Sequence, residues 1–136
     1  MAILIKGVSG FIGSELSKNL LQKGHRVVLF DMIPPERERK EVLFVKGNIS
    51  NWAEVINAVR DHKVEHIFHL AAMLSAQCEG NPWAAVQVNG LGIYHILEAS
   101  RLFGAKKFIF TSSMGAYGIV PHGIVNDETV QKPQTL

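Results

Sequence analysis

The stretch Gly7-Val8-Ser9-Gly10-Phe11-Ile12-Gly13 (GVSGFIG) decides how the chain folds. It follows an apolar run at residues 2–5, which predicts a buried strand, and it precedes a helical pattern of leucines at residues 14–23. Glycine permits a tight turn, lets a ligand approach the backbone closely, and allows a helix to pack tightly on a strand. The stretch therefore predicts a strand–turn–helix unit at the start of the chain.

Outward from this unit, apolar runs and helical patterns alternate. We predict strands at residues 26–30, 42–45, 64–70 and 107–110, and helices at residues 51–61 and about 82–103. Asn51 and Asn81 are candidate N-caps, and Gly24 and Gly104 are candidate helix stops. The strands are continuous apolar runs, which are typical of a parallel sheet covered on both faces. The order predicts an α/β fold, a Rossmann-like doubly wound parallel sheet.

The composition indicates one globular domain, which we expect to span residues 1–136, with 47% hydrophobic and 19% charged residues. The net charge of +2, from 14 basic and 12 acidic residues, is too balanced to favour nucleic acid or an anionic membrane as a partner. No apolar run approaches the roughly 20 residues of a membrane span. The single cysteine, Cys78, precludes an internal disulfide and suits a reducing compartment. We therefore expect a cytoplasmic protein.

Asp31 gives the glycine turn a chemical context, because it closes the second strand 18 residues after Gly13. Free N–H groups and the dipole at a helix start favour phosphate, and an acidic residue here accepts hydrogen bonds from ribose hydroxyls and repels a 2′-phosphate. An ordinary strand-to-helix turn is the alternative. The combination favours a dinucleotide, NAD rather than NADP. Arg37, Arg39 and Lys40 could reach a 2′-phosphate, but a solvated charged loop is the simpler interpretation.

Seven short segments together are more specific than the turn alone. In order they are GVSGFIG at 7–13, Asp31, GNIS at 47–50, HLAA at 69–72, VNGLGIYHILEAS at 88–100, FIFTSSMGAYG at 108–118 and DETVQKP at 127–133. Their order, and the GxxGxxG spacing of the turn, resemble the extended short-chain dehydrogenase/reductase family, the NAD-dependent epimerases and dehydratases. The resemblance implies hydride transfer from a secondary alcohol of a small-molecule substrate to NAD, and a homodimer in the full-length parent.

The resemblance also implies roles for individual residues. The residues that would line the pyrophosphate are Gly7, Gly10, Phe11, Ile12 and Gly13. Asp31 would hold the ribose, Asn48 and Ile49 would flank the adenine, and the floor of the site would be formed by Leu70, Ala71 and Ala72. The rest of the implied cofactor-binding set is Met32, Asn89, Thr111 and Ser112. Asn89 would brace the long helix against the active-site strand. Ser113 would be the catalytic residue that hydrogen-bonds the substrate oxygen.

Two positions depart from the family pattern within this set of segments. Asn48 stands where an Asp is usual, although its amide can still bond to the adenine amino group. Lys6 stands where a Thr or another small residue is usual, and nothing in the sequence explains it.

A third departure concerns the general base, which in this family is the Tyr of a YxxxK motif. Neither Tyr94 nor Tyr117 has a lysine four positions later. In the family a proline such as Pro133 is commonly followed four residues on by that tyrosine, one position beyond Leu136. We expect a cofactor-binding N-terminal part, with the sheet incomplete at its C-terminus and the substrate-binding region absent. The alternative is a non-catalytic NAD(P)-binding sensor or scaffold module.

Other signals favour bland interpretations. His62, His66 and His69 are spaced four and three apart, but they fall on or near a strand, where His66 and His69 point to opposite faces, so we predict no metal site. Cys78 has no obvious catalytic base beside it. Tyr117 lies between glycines and is interpreted as a turn residue, with a substrate-facing position as the alternative. The substrate stays open between a sugar nucleotide and a small hydroxy or amino acid.

Overall fold

Five parallel strands form one sheet in the computed structural model, which describes residues 1–35, 42–119 and 124–134. The strands are β1 (Ala2–Lys6), β2 (Arg26–Asp31), β3 (Val42–Lys46), β4 (His66–His69) and β5 (Lys107–Phe110), in the order β3-β2-β1-β4-β5. The chain winds outward from β1 to β3, then crosses back and winds outward from β4 to β5. This reversal beside β1 confirms the doubly wound parallel sheet.

Alternate residues of the buried strands pack into two different layers. Ile3 and Ile5 of β1 belong to a core that is covered by the leucines of the first helix. Leu4 between them belongs to a second core on the opposite face, with Val55 and Ile96 from two other helices. A continuous apolar run is required because both faces of the strand are buried.

The helices are α1 (Phe11–Gln22), α2 (Trp52–Asp61), α3 (Ser75–Gly80), α4 (Pro82–Ala85) and α5 (Gly92–Leu102). A π-helical turn at Val86–Leu91 joins α4 to α5, so the predicted long helix is present and continuous but is not regular. The predicted start of the first helix at residue 14 is wrong, because the second half of the glycine stretch already forms the first helical turn. The sequence prediction missed α3, and the strand predicted at 64–70 is shorter.

The predicted helix boundaries at Asn and Gly are confirmed. The Asn51 side chain accepts from Ala53 N at 3.1 Å and from Glu54 N at 3.3 Å at the start of α2. The Asn81 side chain accepts from Ala84 N at 3.0 Å at the start of α4. Gly24 (φ +75°) and Gly104 (φ +67°) follow α1 and α5 in the left-handed conformation that glycine adopts without strain. Among the described ranges, no helix has both the length and the apolar character to cross a membrane.

Candidate functional site

The main candidate site is a cleft of about 1020 Å³ at the carboxyl ends of β1 and β4. This is where the direction of winding reverses, the place at which open α/β sheets bind ligands. Nine of the predicted cofactor-binding residues line it together: Gly7, Gly10, Asp31, Met32, Asn48, Ile49, Leu70, Ala71 and Ala72. Phe11, Ile12 and Gly13 lie at the start of α1 beside it, and Asn89, Thr111, Ser112 and Ser113 lie outside its lining.

The three glycines of the turn differ in what the protein itself requires of them. Gly7 has φ +94°, and a Cβ there would lie 2.7 Å from Ala71 N. A Cβ on Gly13 would collide with the carbonyl oxygen of Gly7. Gly10 has φ −84°, and its nearest obstacle is Gly7 O at an ordinary 3.5 Å. The fold therefore requires glycine at 7 and 13, whereas at 10 it leaves open space of the kind that a ligand phosphate needs.

The start of α1 is left open for an anion. Gly10 occupies the N-cap position, and no side chain of the described residues caps this helix, in contrast to α2 and α4. Uncapped N–H groups and the positive end of the helix dipole then face the cleft. Phe11 and Ile12 are 86% and 61% exposed, so both residues are accessible to a ligand at the start of α1.

Asp31 is buried at the end of β2 and holds the glycine turn. Its carboxylate accepts from Val8 N at 2.9 Å, from Met32 N at 2.7 Å and from Lys6 Nζ at 3.4 Å. Burial alone would raise the pKa of Asp31, but the charge of Lys6 and the backbone N–H groups around it outweigh burial and lower the pKa. The carboxylate is therefore charged at neutral pH and already serves the fold.

Lys6 is the site residue whose role the sequence did not reveal. Its side chain is 6% exposed, its ammonium group pairs with Asp31, and it lies 5.7 Å from the centroid of the Phe30 ring. Burial lowers the pKa of Lys6, and the Asp31 carboxylate opposes that shift. A signal was available, because Lys6 and Asp31 end two strands that the topology places side by side.

His69 lies next to Lys6 at the end of β4 and is 2% exposed. Burial, together with the charge of Lys6, lowers the pKa of His69 to about 4. The ring stacks on Phe110 with centroids 5.7 Å apart, and its Nδ1 atom has no hydrogen-bond partner among the described residues. The side chain is therefore a neutral imidazole under the floor of the site.

The GNIS segment closes the far end of the cleft. Gly47 N donates to Asp31 O at 2.9 Å, and Asn48 N donates to Glu54 Oε2 at 2.7 Å. The Asn48 side-chain oxygen accepts from Ser50 N at 2.9 Å. This hydrogen bond stabilises the turn at residues 48–50 in the absence of an adenine base. Trp52 also lines the cleft, with its ring 5.5 Å from that of His95.

Asn89 lies on the π-helical turn and is tied to the segment after β4. Its side-chain oxygen accepts from Met73 N at 2.8 Å, and its amide donates to Met73 O at 3.1 Å. Such turns recur at functional sites because they redirect a side chain without ending the helix. Asn89 therefore braces the long helix against the chain that follows the HLAA floor.

The residues after β5 form a separate corner of the site. Thr111 N donates to His69 O at 3.4 Å, which joins this corner to β4. Ser113 caps a 3₁₀ turn at Met114–Tyr117 by accepting from Gly115 N at 3.0 Å. Its hydroxyl is exposed and can donate a hydrogen bond to a ligand oxygen. Tyr117 lies in that turn, as the glycines around it predict.

Two further interpretations of the sequence concerned a metal site and a site for a 2′-phosphate. Among residues 1–35, 42–119 and 124–134, no group of three or more His, Cys, Asp or Glu side chains is placed to hold a metal ion. Arg37, Arg39 and Lys40, the candidates for a 2′-phosphate, lie outside the described residues.

A parallel sheet of this order, with a glycine turn and a cleft where the winding reverses, defines a dinucleotide-binding α/β domain. The chain belongs to the NAD-dependent epimerase/dehydratase family, whose model matches residues 3–135. The family prediction is confirmed, and so is NAD as the cofactor of that family.

Known relatives support the same assignment. The chain is 33% identical over 132 residues to a UDP-glucose 4-epimerase of Klebsiella pneumoniae, covering 89% of this chain and 95% of that sequence. It is similar to the structure of a Thermus thermophilus UDP-glucose 4-epimerase in complex with NAD (TM-score 0.88, 32% identity, 99% of this chain and 45% of that one). It is equally similar to the holo form of a GalE-like L-threonine dehydrogenase from Cupriavidus necator (TM-score 0.89, 32% identity, 99% and 44%). The chain thus spans less than half of each of these two structures.

Proposed function

We propose that this chain is the NAD-binding part of an epimerase, dehydratase or dehydrogenase that acts by hydride transfer at a secondary alcohol, and that residues 1–136 form one cofactor-binding domain. The observation that supports it most directly is the space at Gly10, which the fold does not need and a pyrophosphate would use. Around that space are an uncapped helix start and a cleft of about 1020 Å³. Family membership agrees with this proposal.

The residues of the chain have separate tasks in this proposal. The turn and the first N–H groups of α1 bind the pyrophosphate, and residues 70–72 form the surface on which the ribose and the nicotinamide rest. When bound, NAD supplies the hydride acceptor for oxidation of a carbinol carbon. Ser113 donates a hydrogen bond to the substrate oxygen and orients it. Because the sequence has no YxxxK, we assign binding and orientation to these residues, but not proton abstraction.

The substrate class follows from the relatives only in outline. One solved relative is a UDP-glucose 4-epimerase and another an L-threonine dehydrogenase, so we propose either a sugar nucleotide or a small hydroxy or amino acid. We further propose a cytoplasmic location, which suits the buried free thiol of Cys78. A homodimer of the full-length parent is also proposed, and the exposed apolar side chains along residues 82–102 support it.

A second candidate is a non-catalytic NAD(P)-binding sensor or scaffold module. A module of this kind needs only the cofactor cleft, whereas the exposed Ser113 hydroxyl after β5 favours the enzyme. The two candidates share the binding step and differ in turnover. Production of NADH from a secondary alcohol by the full-length parent would exclude the sensor.

Calorimetric titration of the purified chain with NAD tests the shared step. We expect saturable binding by the native chain and its loss in Gly10→Val, where the added side chain would enter the pyrophosphate space. Gly80→Val is the matched control, because no atom lies within 4 Å of a Cβ there and the residue is outside the cleft lining. Absence of binding by the native chain, or equal affinity in Gly10→Val, would overturn the proposal.

A further inference from the structure

Lys6 places a buried ammonium group at the end of β1, beside the cleft. Lysine is almost never buried to this degree without a partner. Here the side chain is 6% exposed, and Nζ lies 3.4 Å from Asp31 Oδ1. The residue also lines the cleft, so its charge lies close to the binding surface.

The hydrogen bonds of Asp31 show how little of this carboxylate is left for a ligand. A carboxylate offers about four acceptor positions. Three are used by protein donors: Oδ1 accepts from Lys6 Nζ and Met32 N, and Oδ2 accepts from Val8 N. Because the backbone N–H of Ser9 also interacts with this carboxylate, at most one position remains for a ribose hydroxyl. The ammonium group of Lys6, in contrast, has more donors than its single contact with Asp31 uses.

The charge of this pair matters more than its hydrogen bonds. A lone carboxylate at the end of β2 discriminates against NADP because it repels the 2′-phosphate. An ammonium group 3.4 Å away offsets most of that negative charge where a ligand meets it. Burial makes the offset larger, since water screens the two groups poorly there.

We propose that Lys6 sets the cofactor selectivity of this chain: by neutralising Asp31 at the ribose end of the cleft, it narrows the preference for NAD over NADP. The inference rests on the proposed function, since it concerns the same cleft. Lys6 acts on the ligand through Asp31 and through its own charge. Replacing Lys6 with an uncharged side chain leaves the negative charge of Asp31 without a neutralising partner. The site then has a stronger preference for NAD over NADP.

The test is a charge series, measured as the ratio of the NADP and NAD dissociation constants by calorimetry. The native pair has no net charge, Lys6→Met leaves one negative charge, Asp31→Asn leaves one positive charge, and the double variant is again neutral. We expect Lys6→Met to shift the ratio toward NAD by roughly tenfold, as one partly screened charge would. The double variant should return close to the native ratio, and Asp31→Asn should shift it toward NADP.

The measured ratio distinguishes an effect of the Lys6 charge from a loss of packing. A purely structural role of Lys6 would weaken both ligands equally and leave the ratio unchanged, which would overturn the inference. Circular dichroism shows whether Lys6→Met folds. If it does not, the double variant is compared with Asp31→Asn, and the same ratio of dissociation constants in those two would also overturn the inference. Failure of the native chain to bind NAD would instead overturn the proposed function itself.

Discussion

Asn89 and Met73 are joined by two hydrogen bonds, one in each direction between the Asn89 amide and the Met73 backbone. Sixteen residues separate them in sequence, so the contact fastens the long helix to the segment that leaves the floor of the cleft. Because that segment borders Ala71 and Ala72, its position determines how the floor is presented to a ligand.

Replacing Asn89 with Ala should therefore loosen the cleft more than it destabilises the fold. We expect a loss of about 1–2 kcal/mol in the free energy of unfolding, from the two hydrogen bonds to Met73 and the weak one to Cys78 Sγ, and a several-fold weaker affinity for NAD. Urea unfolding and calorimetry measure the two effects. Asn57→Ala, which removes an exposed hydrogen bond to Arg60 on α2, is the control. Equal NAD affinity in Asn89→Ala would contradict the bracing role.

The turn glycines should separate stability from binding. In Gly13→Ala the new methyl group meets the backbone of Gly7, so the free energy of unfolding should fall by about 1–3 kcal/mol. In Gly10→Ala the protein has room for the methyl group, so stability should fall only by the cost of alanine at an N-cap, up to about 1 kcal/mol, while NAD affinity falls. Thermal unfolding with and without NAD measures both. Equal destabilisation by the two substitutions would contradict the interpretation of Gly10 as ligand space.

Much of the site could be predicted because it depends on local chemistry. The glycine stretch, Asp31 at a strand end, and the caps at Asn51 and Asn81 each have a signature within a few residues. The α3 helix has none, because its six residues show no apolar periodicity. The π-helical turn depends on how residues 82–102 pack, and propensity does not encode that.

The pair of Lys6 and Asp31 was missed for a different reason. The two residues are 25 positions apart, and only the strand order β2-β1-β4 brings them together. Each was noted from the sequence, Asp31 as a ribose ligand and Lys6 as an unexplained departure. Their contact explains the lysine at position 6, because its ammonium group pairs with the Asp31 carboxylate.

His69 should make the stability of the fold depend on pH. Its ordinary pKa of 6.5 applies in the unfolded chain, whereas in the folded state it is about 4. Between these values the unfolded state binds a proton that the folded state does not. The free energy of unfolding therefore has its highest value above about pH 6.5 and falls as the pH drops toward 4. The two pKa values imply a loss on the order of 3 kcal/mol.

Urea unfolding from about pH 4.5 to 7.5 measures this dependence. His69→Phe is the informative variant, because it keeps a ring against Phe110 and removes the titrating group. Its free energy of unfolding should vary less with pH than that of the native chain. The Asp31 carboxyl, whose pKa is lowered from 3.8, loses its contribution only at a lower pH and does not interfere. Identical profiles would show that His69 is not the source.

The long helix should drive self-association of this chain in solution. Apolar side chains recur three to five residues apart along it and are 44–68% exposed: Trp83, Val86, Leu91, Tyr94, Leu97 and Leu102. An apolar stripe of this kind is stabilised when another surface covers it. We expect light scattering to report a concentration-dependent dimer or larger species, and Tyr94→Lys with Leu97→Lys to shift it toward the monomer. Lysine at the exposed Asn19 and Gln22 of α1, which are also three residues apart, is the control. A native chain that stays monomeric at high concentration would contradict this role of the helix.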